Sequence, residues 1–144
     1  MIEKVNYKND MLALIVRGKY RGKKGITFFT PKESIQQFGY MRHKKSHIIK
    51  PHLHKKRKTR IMYTSEVILL LKGLLRVDFY NNKKKYLISK ILKPKDIIML
   101  VKGGHGFKVL KEVEMIEIKQ GPYSLSKDKI KFENIDENKI KIKK

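Results

Sequence analysis

The chain reads as an all-β protein, and three observations predict it. Turn signals recur at the short spacing typical of a sandwich or barrel. Leu74 to Tyr80 alternates apolar and polar side chains, turns at Asn81-Asn82, and is answered by Tyr86 to Leu92, the pattern of a hairpin. The remaining apolar runs are only a few residues long and several end in glycine, which favours strands over helices. At 144 residues and 40% hydrophobic composition, the chain has the size and apolar content of one domain with one core.

Taken in order, Met11 to Val16 (Met-Leu-Ala-Leu-Ile-Val) predicts a well-buried strand ended by Arg17-Gly18, and Gly25 to Phe29 a second after a basic turn. Pro31-Lys32-Glu33-Ser34 interrupts. Gln36 to His43 resumes an extended pattern, with one short helix from Glu33 to Phe38 as the alternative. Ser46 to His54 is read as a strand, whose period of two would turn Ile48, Lys50, His52 and His54 to one face. Lys55-Lys56-Arg57-Lys58-Thr59-Arg60 is then a solvated basic loop, or a mouth loop that grips an anion. Ser65 to Leu71 predicts a strand closed by Lys72-Gly73. Lys93-Pro94-Lys95-Asp96 makes a turn before a strand from Ile97 to Val101, which ends at Gly103-Gly104. Phe107 to Leu110 and Val113 to Lys119 read as a last hairpin with Gln120-Gly121-Pro122-Tyr123 as its exit. Beyond Ser124 the sequence turns to Lys, Asp, Glu and Asn with scattered isoleucine. This predicts a basic extension over 124–144 that adds an edge strand at Lys129 to Phe132 or frays, after a single domain over 1–123.

A net charge of +23 points first to a polyanion partner. Thirty of the basic residues are lysine and six arginine, spread from Lys4 to Lys144, and tryptophan is absent. Arginine forks and stacking platforms are what specific nucleic-acid recognition uses, so the expectation is nonspecific, salt-sensitive polyanion adhesion and no specific nucleic-acid partner. The lysine and isoleucine excess resembles that of an AT-rich genome. With no cysteine there is no disulfide, thiolate metal site or thiol nucleophile, which suits a reducing compartment. Met1-Ile2-Glu3-Lys4 lacks a signal-peptide pattern and no apolar run approaches the roughly 20 residues of a span, so the expectation is a cytoplasmic protein without a membrane partner.

Chemistry concentrates in two places. Three of the five histidines lie in Lys50-Pro51-His52-Leu53-His54 and Gly103-Gly104-His105-Gly106, with Glu66 between them. These pieces resemble the two motifs of the cupin superfamily. In the first, G-x5-H-x-H-x3,4-E-x6-G, His52, His54, Glu66 and Gly73 match. Ser46 stands at the first glycine position and an insertion lies within Lys55 to Ser65. In the second, G-x5-P-x-G-x2-H-x3-N, His105 matches, while Leu100, Lys102 and Val109 depart, and Lys95 stands where glycine is usual in the preceding turn. The resemblance covers roughly Gly25 to Tyr123. It is nearest to the small single-domain RmlC-like cupins associated with polysaccharide and nucleotide-sugar genes, through Pro51 to Lys55, Arg76 to Tyr80, Gly103 to Phe107 and Lys119 to Tyr123.

That resemblance implies a double-stranded β-helix, often dimeric, with a site inside the barrel. It implies a divalent transition metal (Fe, Mn, Ni or Zn) on His52, His54, Glu66 and His105, which suits imidazole and carboxylate donors. Its substrate would be a small carbohydrate-like or anionic molecule, transformed by isomerase, epimerase or oxygenase chemistry, with Tyr63 and Glu66 as catalytic candidates. A non-catalytic binding module is the alternative. Lys50, Arg57, Arg60 and Tyr63 are candidates to receive an anionic group. Each residue also has a plainer reading. His52 and His54 would line a metal-free pocket, Glu66 would pair with Arg57 or Arg60, and His105 would serve a turn. His43 and His47 would be exposed, Phe107 and Met99 core wall, and Arg76 with Asp78 an ion pair of small value if exposed.

Overall fold

The structure, a computed structural model, describes residues 1–122, 124 and 128–143. Tyr123, the last residue of the expected exit turn, lies outside the described residues. The chain is all-β, with 46% of the described residues in strand and 2% helical. It falls into two compact units, Met1–Tyr20 with Tyr63–Lys144, and Arg21–Met62.

The first unit is one curled antiparallel sheet, half of a barrel. Strand β1 (Ile2–Tyr7) turns at Lys8, which takes φ 54°, into β2 (Asp10–Val16). The sequence reading placed no strand at Ile2–Tyr7, because its apolar residues are few and mixed with charge. β2 lies between β1 and β7 (Ile97–Leu100), so Ala13, Leu14 and Ile15 are fully buried and the run is continuously apolar. β7 pairs with the first residues of β5 (Glu66–Tyr80), while β6 (Tyr86–Leu92) pairs with its last residues on the same edge. β8 (Gly104–Lys119) pairs with β5 along its whole length on the other edge.

Two expected pairs of strands are therefore two long strands. Lys72-Gly73 does not end a strand; Gly73, at φ 89°, is a bulge inside β5. A Cβ there would run into the backbone carbonyl of Glu112, so only glycine lets the two strands stay together at the bend. The expected hairpin within 107–119 is likewise one strand, since nothing at Lys111-Glu112 supplies a turn residue. The bulges also reset phase. Before them Glu66, Ile68 and Leu70 face inward; after them Leu75, Val77 and Phe79 do, and the apolar members of both sets enter one core. A strand without that reset would send one half of its apolar side chains to solvent.

Charged side chains fasten the sheet's outer parts. Arg17 donates to Glu3 at 2.6 Å, to Asp96 at 2.7 Å and to the Ile91 carbonyl at 2.7 Å. Lys90, itself buried, meets the other Glu3 oxygen at 2.7 Å. Asp96 also accepts from the Lys93 and Gly18 amides, closing the β6–β7 turn. Held mainly by the Arg17 guanidinium, the Glu3 carboxyl is lowered to about 2.

The C-terminal extension neither forms a strand at Lys129–Phe132 nor frays at its far end. A short 3-10 turn, Glu137–Lys139, brings Glu137 onto Arg76 at 2.7 and 2.9 Å, and Ile142 bridges Ser89. The Ser89 amide and carbonyl bond to Lys141 and Lys143. This strap covers the expected ion pair, whose value would be small only if it were exposed: Arg76 and Asp78 are buried and joined by a two-pronged bond at 2.8 and 2.9 Å, with Ser89 donating to Asp78.

The second unit holds β3 (Gly25–Phe28) and β4 (Gly39–Arg42), an antiparallel pair joined by a loop. Phe29 and Phe38 meet edge to face at 5.6 Å, and Gln37 donates to the carbonyls of Pro31, Lys32 and Ser34. Those bonds hold the loop in turns, so the alternative helix from Glu33 to Phe38 does not form. The expected strand from Ser46 to His54 is also corrected: Ser46 takes φ 67° in a turn and 47–60 is irregular and exposed. Pro51 lacks a backbone donor, and the surrounding lysines keep the segment in water.

Candidate functional site

The β5–β8 ribbon places the candidate site. Glu66 opposes Lys119 at one end of it and Phe79 opposes His105 at the other. Thirteen residues of extended strand would separate those ends by about 43 Å at roughly 3.3 Å per residue. Instead the Glu66 carboxylate and the His105 ring are 3.0 Å apart, Oε2 to Nε2. The bend at the bulges is what closes that distance, helped by the register that sets Glu66 beside Leu100 at the end of β7. From Leu100 the chain needs only the turn at Gly103 to reach His105; Gly103, at φ 77°, passes against the Tyr80 carbonyl and Leu12.

Glu66 has a side chain 5% exposed, and that of His105 is 25% exposed. The second Glu66 oxygen meets the Lys129 ammonium at 3.1 Å. The His105 hydrogen bond, opposed by burial and helped by Lys129, lowers the Glu66 carboxyl to about 2. An ionised carboxylate can only accept, so in this pairing Nε2 carries the hydrogen, and a neutral His105 then keeps a lone pair on Nδ1. A histidine so oriented by a carboxylate can accept or deliver a proton. Phe107 adjoins its ring at 5.3 Å on the same face of β8 and is 39% exposed. Met99 is buried core wall. Lys129 was missed by the sequence reading, because a lysine among lysines in a polar tail carries no distinguishing pattern.

The other candidates separate by unit. Tyr63, exposed, lies with Glu66 and His105 in the first unit, where the Lys102 ammonium sits 5.4 Å above its ring. Lys50, His52, His54, Arg57 and Arg60 belong to the second unit and are all exposed. There the His52 and His54 rings are 5.3 Å apart and steeply inclined, and His52 Nδ1 lies 2.9 Å from the Lys50 carbonyl. His43 and His47, expected to be exposed, are so, and their rings stack at 4.2 Å.

Glu66 and His105 are donor types that suit a metal, but Nε2 would first have to give up the hydrogen it shares with Glu66. Two donor atoms 3.0 Å apart are as close as neighbouring ligands on one ion with bonds of about 2.1 Å. Among the described residues, no group of three or more His, Asp or Glu stands together as a metal site. Among the described residues no helix is long and apolar enough to cross a membrane. Comparison with protein-family models, curated proteins and solved structures finds no match.

Proposed function

We propose that the curled sheet is part of a cupin-type double-stranded β-helix. In this reading Glu66 and His105 form the working centre for a small carbohydrate-like or anionic substrate. The observation that carries it is the buried, ionised carboxylate bonded to a histidine drawn from the far end of the same ribbon. A sheet has no structural need to bring two polar residues so distant along one ribbon into contact on its inner face. The chemistry we assign is isomerase or epimerase: Nδ1 of His105 takes a proton from the carbon beside a carbonyl to give an enol, while Glu66 holds the ring and compensates its charge. The proton goes back either to the neighbouring carbon as the hydroxyl proton moves between the two oxygens, or from Tyr63 to the opposite face of the same carbon. Tyr63 is the second candidate for proton transfer, and Lys50, Arg57 and Arg60 for the anionic group of the substrate.

The proposal includes a divalent transition metal (Fe, Mn, Ni or Zn), to be held by His52, His54, Glu66 and His105. Such an ion would polarise a substrate oxygen or, in an oxygenase, bind dioxygen. It further takes the protein to be a cytoplasmic homodimer. The second reading, a binding module without catalysis, is favoured by Lys129. With His105 and Lys129 already on its two oxygens, Glu66 is charge-compensated without an ion.

Tag-free protein decides between them. Stoichiometric metal that disappears in a His52→Ala, His54→Ala double variant, with turnover of a nucleotide sugar or simple sugar that is lost in Glu66→Gln, is the expected result. Metal absent from the wild type, or unchanged in the double variant, refutes the four-ligand site. Saturable binding without turnover assigns the binding module.

A further inference from the structure

We infer that the irregular segment from His43 to Met62 is a docking arm for an anionic lipid surface. Between those residues stand eight lysines and arginines and not one carboxylate, and across the whole unit thirteen basic residues face the single acid Glu33. Residues 47–60 make no strand or helix and every one is exposed. A block of like charge with so little secondary structure holds itself apart by repulsion and is stabilised by whatever brings the opposite sign.

The apolar residues in the segment select the partner. Leu53 is 97% exposed and Ile48 78%, with Ile49, Ile61 and Met62 exposed beside them. They flank the run Lys55-Lys56-Arg57-Lys58-Thr59-Arg60 on both sides. Solvated aliphatic side chains gain nothing from a phosphodiester backbone. At a bilayer they reach past the headgroups while the lysines stay at the phosphates, the division of labour of interfacial segments. Nucleic acid would instead favour arginine and stacking rings, and between His43 and Met62 there are two arginines and no Phe, Tyr or Trp. That no helix among the described residues is long and apolar enough to cross a membrane does not bear on this: adsorption in the interface needs cations and a few apolar side chains, whereas spanning needs every backbone group satisfied. The arm uses neither Glu66 nor His105, but it contains Lys50, His52, His54, Arg57 and Arg60, which the proposed function assigns to the metal and to the substrate's anionic group, so lipid docking and that site would compete for them.

The test is co-sedimentation of the full chain with vesicles of phosphatidylcholine alone and with about 30% phosphatidylglycerol, against a single-stranded RNA control. Binding to the anionic vesicles at least roughly tenfold stronger than to neutral ones is expected, weakening roughly tenfold or more as salt rises from about 0.1 to about 0.5 M. Replacing Lys55, Lys56 and Lys58 by Ser should weaken it about tenfold. Replacing Ile48, Leu53 and Ile61 by Ser should weaken vesicle binding severalfold and leave RNA binding unchanged. Equal binding to both vesicles overturns the inference. So does an apolar variant that loses nothing on vesicles, which would make the segment a plain polyanion binder. Because the salt and lipid dependence is read on the wild type, misfolding of a variant does not remove the test.

Discussion

Arg76→Met isolates the part of the fold that the C-terminal strap supports. Arg76 is 5% exposed and makes four charged hydrogen bonds, two to Asp78 and two to Glu137. Methionine keeps the length of the chain and removes the charge, leaving Asp78 buried with Ser89 as its remaining side-chain partner. Breaking a buried pair from one side costs about 3–5 kcal/mol, because the stranded charge keeps its desolvation penalty. The bonds to Glu137 add little to that sum, since Glu137 is half exposed and screened by solvent. In a domain of this size such a loss lowers the melting temperature by roughly 10 °C or more. Arg76→Met with Asp78→Leu removes both charges and should recover most of the loss, as well-packed apolar replacements of buried pairs do. Urea unfolding supplies the energies, and limited proteolysis reads the strap, whose cleavage near Glu137 should quicken in the single variant. A single variant within about 1 kcal/mol of wild type, or a double variant worse than the single one, refutes the reasoning.

Glu3→Gln should destabilise the protein at neutral pH. The folded carboxyl sits at about 2 against an ordinary 4.5, so its contribution is fully present above pH 4.5 and is lost as pH falls toward 2. The shift corresponds to about 3 kcal/mol at most, and the wild type and variant should converge in acid unfolding through that window. Gly73→Ala meets the Glu112 carbonyl and must open the bend, so loss of stability by about 2 kcal/mol or more is expected in thermal melts; a neutral result would mean that β5 and β8 do not cross there. Lys129→Met removes a cation from Glu66 and should raise that carboxyl from about 2, measurable by carbon NMR titration, while leaving the bond to His105 in place.

Short apolar elements were legible because burial dictated them. Tyr86 to Leu92 is a strand with those bounds, and Met11 to Val16 differs from β2 by one residue, since a strand covered on both sides admits almost nothing polar. Gly73 misled because a glycine that ends a strand and one that bulges it have the same letter; the difference lies in the Glu112 carbonyl of another strand. Arg76 and Asp78 alternate outward as a solvated pair would, and a strap some sixty residues later decides that they are buried. The candidate site was half visible in the same sense. Glu66 and His105 stood out by their resemblance to the cupin motifs, but the geometry that joins them depends on a bend distributed over several bulges. His52 and His54 were linked by assuming a strand, and the charge around Pro51 prevents one.

The measurement closest to the centre of this account is nitrogen-detected NMR of the histidine rings in metal-depleted protein, wild type against Glu66→Gln. With Glu66 bonded to His105, the wild type should show His105 as the Nε2-protonated form with that proton slow to exchange, and the variant should lose the protection while the other histidines keep their signals. His105 signals that Glu66→Gln leaves unchanged would mean that the two side chains do not meet, and the proposed centre would fall with that contact.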